Sequence, residues 1–333
     1  MSSTQASIAV LGDGGWGTTL AIHLHRRGHA VRWWGAFPDY VRLLDRRREN
    51  VKFLPDIPIP RAIHITAGLS DAVAPAHVVI LAIPSQHMRA VLRQLAASPL
   101  PNATFVSVAK GLEQGTRKRM SQVVIQELGQ VPLAVLSGPN IAMEIAQGHP
   151  ASSVVASRSH RIAGAIQDLM MSDQFRIYTS TDVIGVELGG ALKNPIAIAA
   201  GIGDGLGFGS NAKAALMTRG VVEMARLGGA MGAREKTFWG LSGLGDLVTT
   251  CLSGRNRWLG EQLGRGRSLH AILASTPMVI EGVETTRAAV RLGRRSGVEL
   301  PILEQVHAIL FHHRAPRSAL QRLMRRSGKS ESA

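Results

Sequence analysis

The chain has 333 residues, 45% of them apolar and 18% charged, with 36 glycines and 15 prolines. That balance leaves room for two domains and a sizeable core and excludes wholesale disorder. The single cysteine, Cys251, excludes an intrachain disulfide and a cysteine-built zinc site, which fits a reducing, cytoplasmic setting. Of 38 basic residues seven are lysine, leaving 31 arginines, and the formal net charge is +15.

The first residues, Met1 to Ala6, lack the basic-then-apolar order of a signal peptide, so no leader is expected. Apolar runs are broken well short of a membrane span, so no membrane insertion is expected either. The pattern predicts a strand over 8–11, a glycine turn, and a helix over 16–27 closed by Gly28. A second strand reads over 30–34, and Asp39 opens a charged helix. Buried strands are expected over 77–83, 104–108, 133–136 and 153–156, with helices over 86–95, 118–128 and 140–147 between them. This alternation predicts an α/β domain with a mostly parallel sheet. From about Thr181 strand signals stop, and Ala/Leu/Met-rich stretches over 183–200, 212–227, 269–273, 283–292 and 301–310 read as helices. The expected boundaries are therefore 1–180 for the α/β domain and 181–333 for an all-helical one, with a frayed tail after Gly328.

Basic clusters at Arg46–Arg48, Arg117–Arg119 and 314–326 carry no interleaved aromatics and no zinc-finger spacing. They read as solvated helix faces, so a nucleic-acid partner is not expected. An excess of positive charge also suits a phosphorylated small substrate.

Gly12-Asp13-Gly14-Gly15-Trp16-Gly17 fits G-x-G-x-x-G directly after a strand and opening a helix. There the first glycine allows the turn, the second lets a pyrophosphate approach the backbone, and the third permits close helix–strand packing. Asp13 puts a carboxylate into this turn, and its side chain is expected to point away from the phosphates. At the end of the second strand, Trp34-Gly35-Ala36-Phe37 offers neither an acid for a ribose 2′-hydroxyl nor an arginine for a 2′-phosphate, with Arg32 and Arg42 only near in sequence. The choice between NAD and NADP stays open.

Scarce lysines are informative. Lys110 follows a predicted strand, at the sheet edge where open α/β folds bind ligands. Lys193 lies among small and apolar residues in Gly189-Gly190-Ala191-Leu192-Lys193-Asn194-Pro195, where burial would lower its pKa and allow proton exchange. Gly243-Leu244-Gly245-Asp246-Leu247 sets one carboxylate in an apolar, glycine-rich run, and Arg255-Asn256 follows with side chains suited to a phosphate. No His/Asp/Glu set suggests a metal.

With these residues the chain resembles the NAD(P)-dependent glycerol-3-phosphate dehydrogenases of bacterial type over about residues 7–312. Seven ordered motifs carry the resemblance. They are Gly12-x-Gly-Gly-Trp-Gly-Thr18, Ala109-Lys-Gly-Leu-Glu113, Ser137-Gly-Pro-Asn-Ile-Ala-Met-Glu144, Glu187-Leu-Gly-Gly-Ala-Leu-Lys-Asn194, Gly240-Leu-Ser-Gly-Leu-Gly-Asp-Leu247, Gly254-Arg-Asn256 and Glu281-Gly282. It implies a Rossmann-like domain joined to a helical domain like that of 6-phosphogluconate dehydrogenase, usually as a homodimer. It also implies interconversion of dihydroxyacetone phosphate and sn-glycerol 3-phosphate with NAD or NADP, without a metal, feeding glycerophospholipid synthesis.

By the same resemblance Lys193 looks like the general acid/base, Lys110 lies at substrate and nicotinamide, and Asp246 orders the site. Arg255 and Asn256 look like phosphate contacts, with Arg255 also near the cofactor. Gly138 and Asn140 match substrate positions. Gly12, Gly14, Gly15, Trp16, Gly17, Phe37, Ala142, Val279 and Glu281 match cofactor positions, and Thr250 and Asn194 are weaker matches. The chain departs from the family pattern at Asn140 (commonly Ser or Thr), Met143 (commonly Lys), Gly254 (commonly Ser) and Ala36-Phe37 (often basic), and its 246–255 stretch is about two residues shorter.

Overall fold

The computed structural model describes residues 5–276, 278–328 and 330–331. The expectations for Met1–Thr4 and for most of the tail beyond Gly328 lie outside those residues. The first part of the chain alternates as the sequence predicts. In order it forms β1 (Ser7–Leu11), α1 (Gly15–Arg26), β2 (Ala30–Trp34), α2 (Pro38–Arg47), β3 (Glu49–Asn50), β4 (Leu54–Pro58), β5 (His64–Thr66), α3 (Leu69–Val73), β6 (Val78–Leu81) and α4 (Ser85–Ala96). It continues through β7 (Thr104–Ser107), α5 (Met120–Leu128), β8 (Leu133–Ser137), α6 (Ala142–Ala146), β9 (Ala151–Ala156), α7 (His160–Met170) and β10 (Phe175–Ser180).

Eight strands make one sheet in the order β10-β9-β8-β7-β6-β1-β2-β5, and β3 pairs with β4 in a separate antiparallel hairpin. All neighbours in the large sheet are parallel except β8 and β9. Parallel strands are buried on both faces, and β1 shows it: Ile8 and Val10 join one core cluster while Ala9 and Leu11 join the other. The chain runs from β1 outward to β2 and β5, then returns to place β6 on the other side of β1. The carboxyl ends of β1 and β6 are thus the switch point at which such sheets bind ligands.

Beyond Ser180 the described chain is helical: α8 (Val183–Gly205), α9 (Ser210–Ala230), α10 (Glu235–Phe238), α11 (Asp246–Leu252), α12 (Arg255–Gly264), α13 (Leu269–Ala274), α14 (Glu281–Arg295), α15 (Pro301–His312) and α16 (Pro316–Met324). A π-helical turn, Leu241–Gly245, leads directly into α11. Helix α8 is long and apolar enough to cross a membrane, yet 78% of its apolar window is buried within the protein, the pattern of a core helix. It packs on α9, α11, α12, α14 and β8, so it joins the helices to the sheet.

Close backbone approach sets this packing. A Cβ on Gly201 or Gly205 of α8 would strike the α12 backbone at Arg257 or Glu261, and one on Gly260 or Gly264 would strike α8 at Ile198 or Ile202. Side-chain-free faces on both helices therefore let α12 lie against α8, which brings Arg255 and Asn256 at its start toward Asn194. At the other end Gly189 lies against the backbone of Ser242 and Gly243, so the π-helical turn carries Asp246 toward Lys193.

The sequence missed several elements. In β10, buried Phe175 and Ile177 alternate with exposed Arg176 and Tyr178, as on an edge strand with one wet face. β3 and β5 are two and three residues long, too short to announce themselves, and the two prolines in β4 hide it as a strand. Helices α10 to α12 are short or glycine-rich, and packing on α8 rather than propensity holds them.

Candidate active site

The glycine turn after β1 is tightly built. Gly12 adopts φ +124°, and a Cβ there would collide with the carbonyl of Ala82 at the end of β6, so only glycine fits. Nothing lies within 4 Å of a Cβ built on Gly14, and α1 begins at Gly15 with no side-chain cap. Its first N–H groups are therefore free for an anion. Asn50 braces the turn, donating from Nδ2 to Asp13 O at 2.9 Å and to Thr18 Oγ1 at 2.6 Å. Trp16 Nε1 and Asp13 Oδ2 are buried without a partner. Open backbone, free helix N–H groups and unpaired polar atoms fit a dinucleotide whose pyrophosphate sits on α1. Ala142 flanks the same place, its carbonyl accepting from Thr19 Oγ1 at 3.0 Å. Phe37 is 69% exposed immediately before α2.

Opposite this turn two lysines meet one carboxylate. Asp246, 2% exposed at the start of α11, accepts from Lys110 Nζ at Oδ2 and from Lys193 Nζ at Oδ1, each at 2.8 Å. Lys193 Nζ also donates to Thr250 Oγ1 at 2.5 Å, one turn further along α11. Lys110 Nζ donates to the carbonyl of Gly138 at 2.7 Å. Burial lowers the Lys110 pKa to about 8, with Asp246 opposing and the charge of Lys193 assisting the fall. Two ammonium groups sharing one carboxylate leave a net positive charge in a partly dry place, suited to an oxyanion or a phosphate.

Asn194, beside Lys193, donates from Nδ2 to the carbonyl of Lys110 at 2.9 Å. Its Oδ1 accepts from Asn256 Nδ2 at 2.9 Å, and Asn256 Oδ1 accepts the Gly282 N–H at 3.0 Å. This relay ties the strand end, α8, α12 and α14 together. It engages both ends of the Asn256 amide but uses only one of its two Nδ2 hydrogens, so a phosphate at this position would meet the second Nδ2–H beside the free N–H groups opening α12. Arg255, exposed at the first position of α12, donates from Nη1 to the carbonyl of Val279 at 3.0 Å. Val279 is 41% exposed.

Gly138 (φ +147°) passes within 2.9 Å, measured from a built Cβ, of Ser153 Cα. Asn140 accepts at Oδ1 from Ser153 Oγ, while its Nδ2 and the nearby Ser137 Oγ are buried and unpaired. Both groups belong to the chain segment that flanks Gly138. Glu281 turns to the protein: its two oxygens accept the Ser85 N–H at 3.0 Å and the Ser85 hydroxyl at 2.5 Å, and burial raises its pKa. Ser85, which sequence reading passed over, thus clasps the start of α14 to the start of α4. Ser-Gln at a helix start after Pro84 was the only local signal for it. Among the described residues no group of three His, Cys, Asp or Glu side chains stands together as a metal site.

Comparison with known proteins agrees with this geometry. The family model described as the N-terminus of NAD-dependent glycerol-3-phosphate dehydrogenase matches residues 7–163, and the C-terminal one matches residues 182–321. A glycerol-3-phosphate dehydrogenase (NAD(P)+) of Syntrophotalea carbinolica is 48% identical over 330 residues, 98% of this chain and 99% of that protein. The same-named protein of Prosthecochloris aestuarii is 46% identical over 329 residues, covering 97% and 99%. A crystal structure of glycerol-3-phosphate dehydrogenase from Coxiella burnetii superposes with a TM-score of 0.93 at 37% identity, covering 97% and 99%. The chain belongs to the NAD(P)-dependent glycerol-3-phosphate dehydrogenase family of oxidoreductases.

Proposed function

We propose that this chain interconverts dihydroxyacetone phosphate and sn-glycerol 3-phosphate with NAD(H) or NADP(H), supplying glycerophospholipid synthesis. The observation that carries the reading is the Lys110–Asp246–Lys193 cluster, in which the two lysines come from the sheet edge and from the buried helix α8. Residues 1–180 hold the dinucleotide, and residues 181–333 supply the proton donor and the phosphate site. The buried thiol Cys251, with its pKa pushed up to about 12, has no part in the chemistry. A homodimer in the cytoplasm is the expected state.

Reduction of a ketone adds two electrons at carbon and leaves the oxygen needing positive charge and then a proton. A bound reduced nicotinamide supplies the hydride. The Lys193 ammonium, held by Asp246 and Thr250, stands to protonate the C2 oxygen. Lys110 adds positive charge beside it and fixes the substrate over Gly138. Arg255 and the N–H groups opening α12 take the phosphate, so binding energy far from C2 aligns the reacting carbon. Asn140 Nδ2 and Ser137 Oγ offer the remaining hydrogen bonds to the substrate hydroxyl.

The test is loss of absorbance at about 340 nm with dihydroxyacetone phosphate and NADH or NADPH. Turnover is expected with the phosphorylated ketone and not with dihydroxyacetone. Failure with both cofactors would overturn the reading.

A further inference from the structure

Nucleotide-binding α/β folds read the adenosine ribose at the end of the second strand, where an acid accepts from the 2′-hydroxyl or a basic residue takes a 2′-phosphate. Here β2 ends at Trp34 and the next residue is Gly35, with no side chain to offer. The space beside it is filled from the glycine turn instead. A Cβ built on Gly35 would lie 2.8 Å from Asp13 Oδ2 and 3.3 Å from Asp13 Cβ, with Val41 Cγ2 of α2 at 2.7 Å. The Asp13 carboxylate therefore stands where a strand-end acid would otherwise be rooted.

Two further observations point to a ligand there. Asp13 Oδ2 is buried and has no hydrogen-bond partner, an acceptor left without its donor. Of the neighbouring cations two are engaged elsewhere, and the third, Lys52, also acts on Asp13 through its charge. Arg32 pairs with Asp71, Arg42 pairs with Asp39, and Lys52 lies over the rings of Tyr40 and Phe53, 5.9 and 4.9 Å from their centroids. Burial raises the Asp13 pKa against a backbone hydrogen bond and the charge of Lys52, and a hydroxyl donated to the carboxylate would offset that cost.

We infer that Asp13 is the cofactor-specificity residue: its carboxylate accepts from the adenosine 2′-hydroxyl of NAD(H) and repels the 2′-phosphate of NADP(H). The inference rests on the glycine turn being the dinucleotide site and not on the identity of the ketone. An acid supplied by the turn and a glycine at the strand end exchange the usual places of these two residue types.

The test is calorimetric titration of the full-length protein, without ketone substrate, using NADH, NADPH, NAD and an NAD analogue lacking the adenosine 2′-hydroxyl. The wild-type chain is expected to bind NADH at least about ten-fold tighter than NADPH, and the deoxy analogue about ten-fold weaker than NAD, as for a hydrogen bond to a charged acceptor. In Asp13→Asn, which keeps shape but not charge, the NADH preference should fall to within about three-fold. Asp13→Ala should also erase the difference between NAD and its deoxy analogue. Wild-type protein that binds the deoxy analogue as tightly as NAD, or NADPH as tightly as NADH, overturns the assignment, and so does binding of neither. The wild-type arms decide even where a variant fails to fold. Protein that shows this pattern yet reduces no dihydroxyacetone phosphate would overturn the proposed activity alone.

Discussion

Lys193 Nζ and Asp246 Oδ1, 53 positions apart in the chain, lie 2.8 Å from each other in the interior, the lysine 6% and the aspartate 2% exposed. An ammonium fixed in this way has its proton aimed by the protein and not by solvent. Lys193→Ala should lower kcat for ketone reduction by about 10²–10⁴ while leaving NADH binding within about three-fold. Lys193→Arg should not restore turnover, because a guanidinium keeps its proton at neutral pH. Steady-state kinetics with dihydroxyacetone phosphate decide it, and near-normal turnover in the alanine variant would remove Lys193 from the proton-transfer role.

The pH profile should report Lys110. Its pKa falls to about 8 through burial, so its positive charge is present below that pH and is lost as pH rises through it. kcat/KM for reduction should therefore decline on the alkaline side with an apparent pKa near 8, a macroscopic value belonging to the lysine–aspartate cluster as a whole. Lys110→Arg should flatten this limb at reduced overall activity. A profile level to pH 10 would contradict the assignment.

Asp246 is the group whose charge holds the Lys110 pKa up against burial. Asp246→Asn should lower that pKa further and move the alkaline limb toward neutral pH. It also leaves two buried ammonium groups without their shared counter-charge, which should cost about 3–5 kcal/mol of stability. Urea unfolding and the pH profile of the same variant separate these two effects.

Much of this site was legible because local rules write it locally. The glycine turn needs its residues within six consecutive positions, and a lysine after a buried strand run is visible as such. What joins Lys110 to Lys193 is not local. Asp246 reaches both because Gly189 and the π-helical turn approach backbone to backbone, and no periodicity records that contact. The Asn194–Asn256 relay is invisible for the same reason, so nothing in the sequence shows that Asn256 also ties α8 to α14. Asp13 reads as an oddity in a phosphate turn until Gly35 is found beside it. Strand β10 escaped because half of its residues face solvent.

Arg255 should act on binding more than on chemistry. Its guanidinium donates to the carbonyl of Val279 at 3.0 Å and is attracted by the charge of Glu281, at the edge of the free N–H groups that open α12. Arg255→Ala should raise the KM for dihydroxyacetone phosphate by about ten- to a hundred-fold, the worth of a charge-assisted contact, with a smaller change in kcat. Arg255→Lys should recover part of the loss. An unchanged KM in the alanine variant would place the phosphate elsewhere.

Away from the site, Glu223 of α9 holds the first turn of α15, its oxygens accepting the N–H groups of Ile302 at 2.7 Å and Leu303 at 3.2 Å. Burial dominates over these bonds and raises its pKa from 4.5 to about 8. The folded chain therefore keeps this proton to higher pH than the unfolded chain does. The stability contributed by the shift is full below about pH 4.5 and is lost as pH rises through about 8. Glu223→Gln removes the titrating group, so its urea midpoint should fall less between pH 6 and 9 than that of the wild-type chain. Equal slopes in the two proteins would mean that Glu223 is already ionised when buried, its charge met by the two N–H groups and the start of α15.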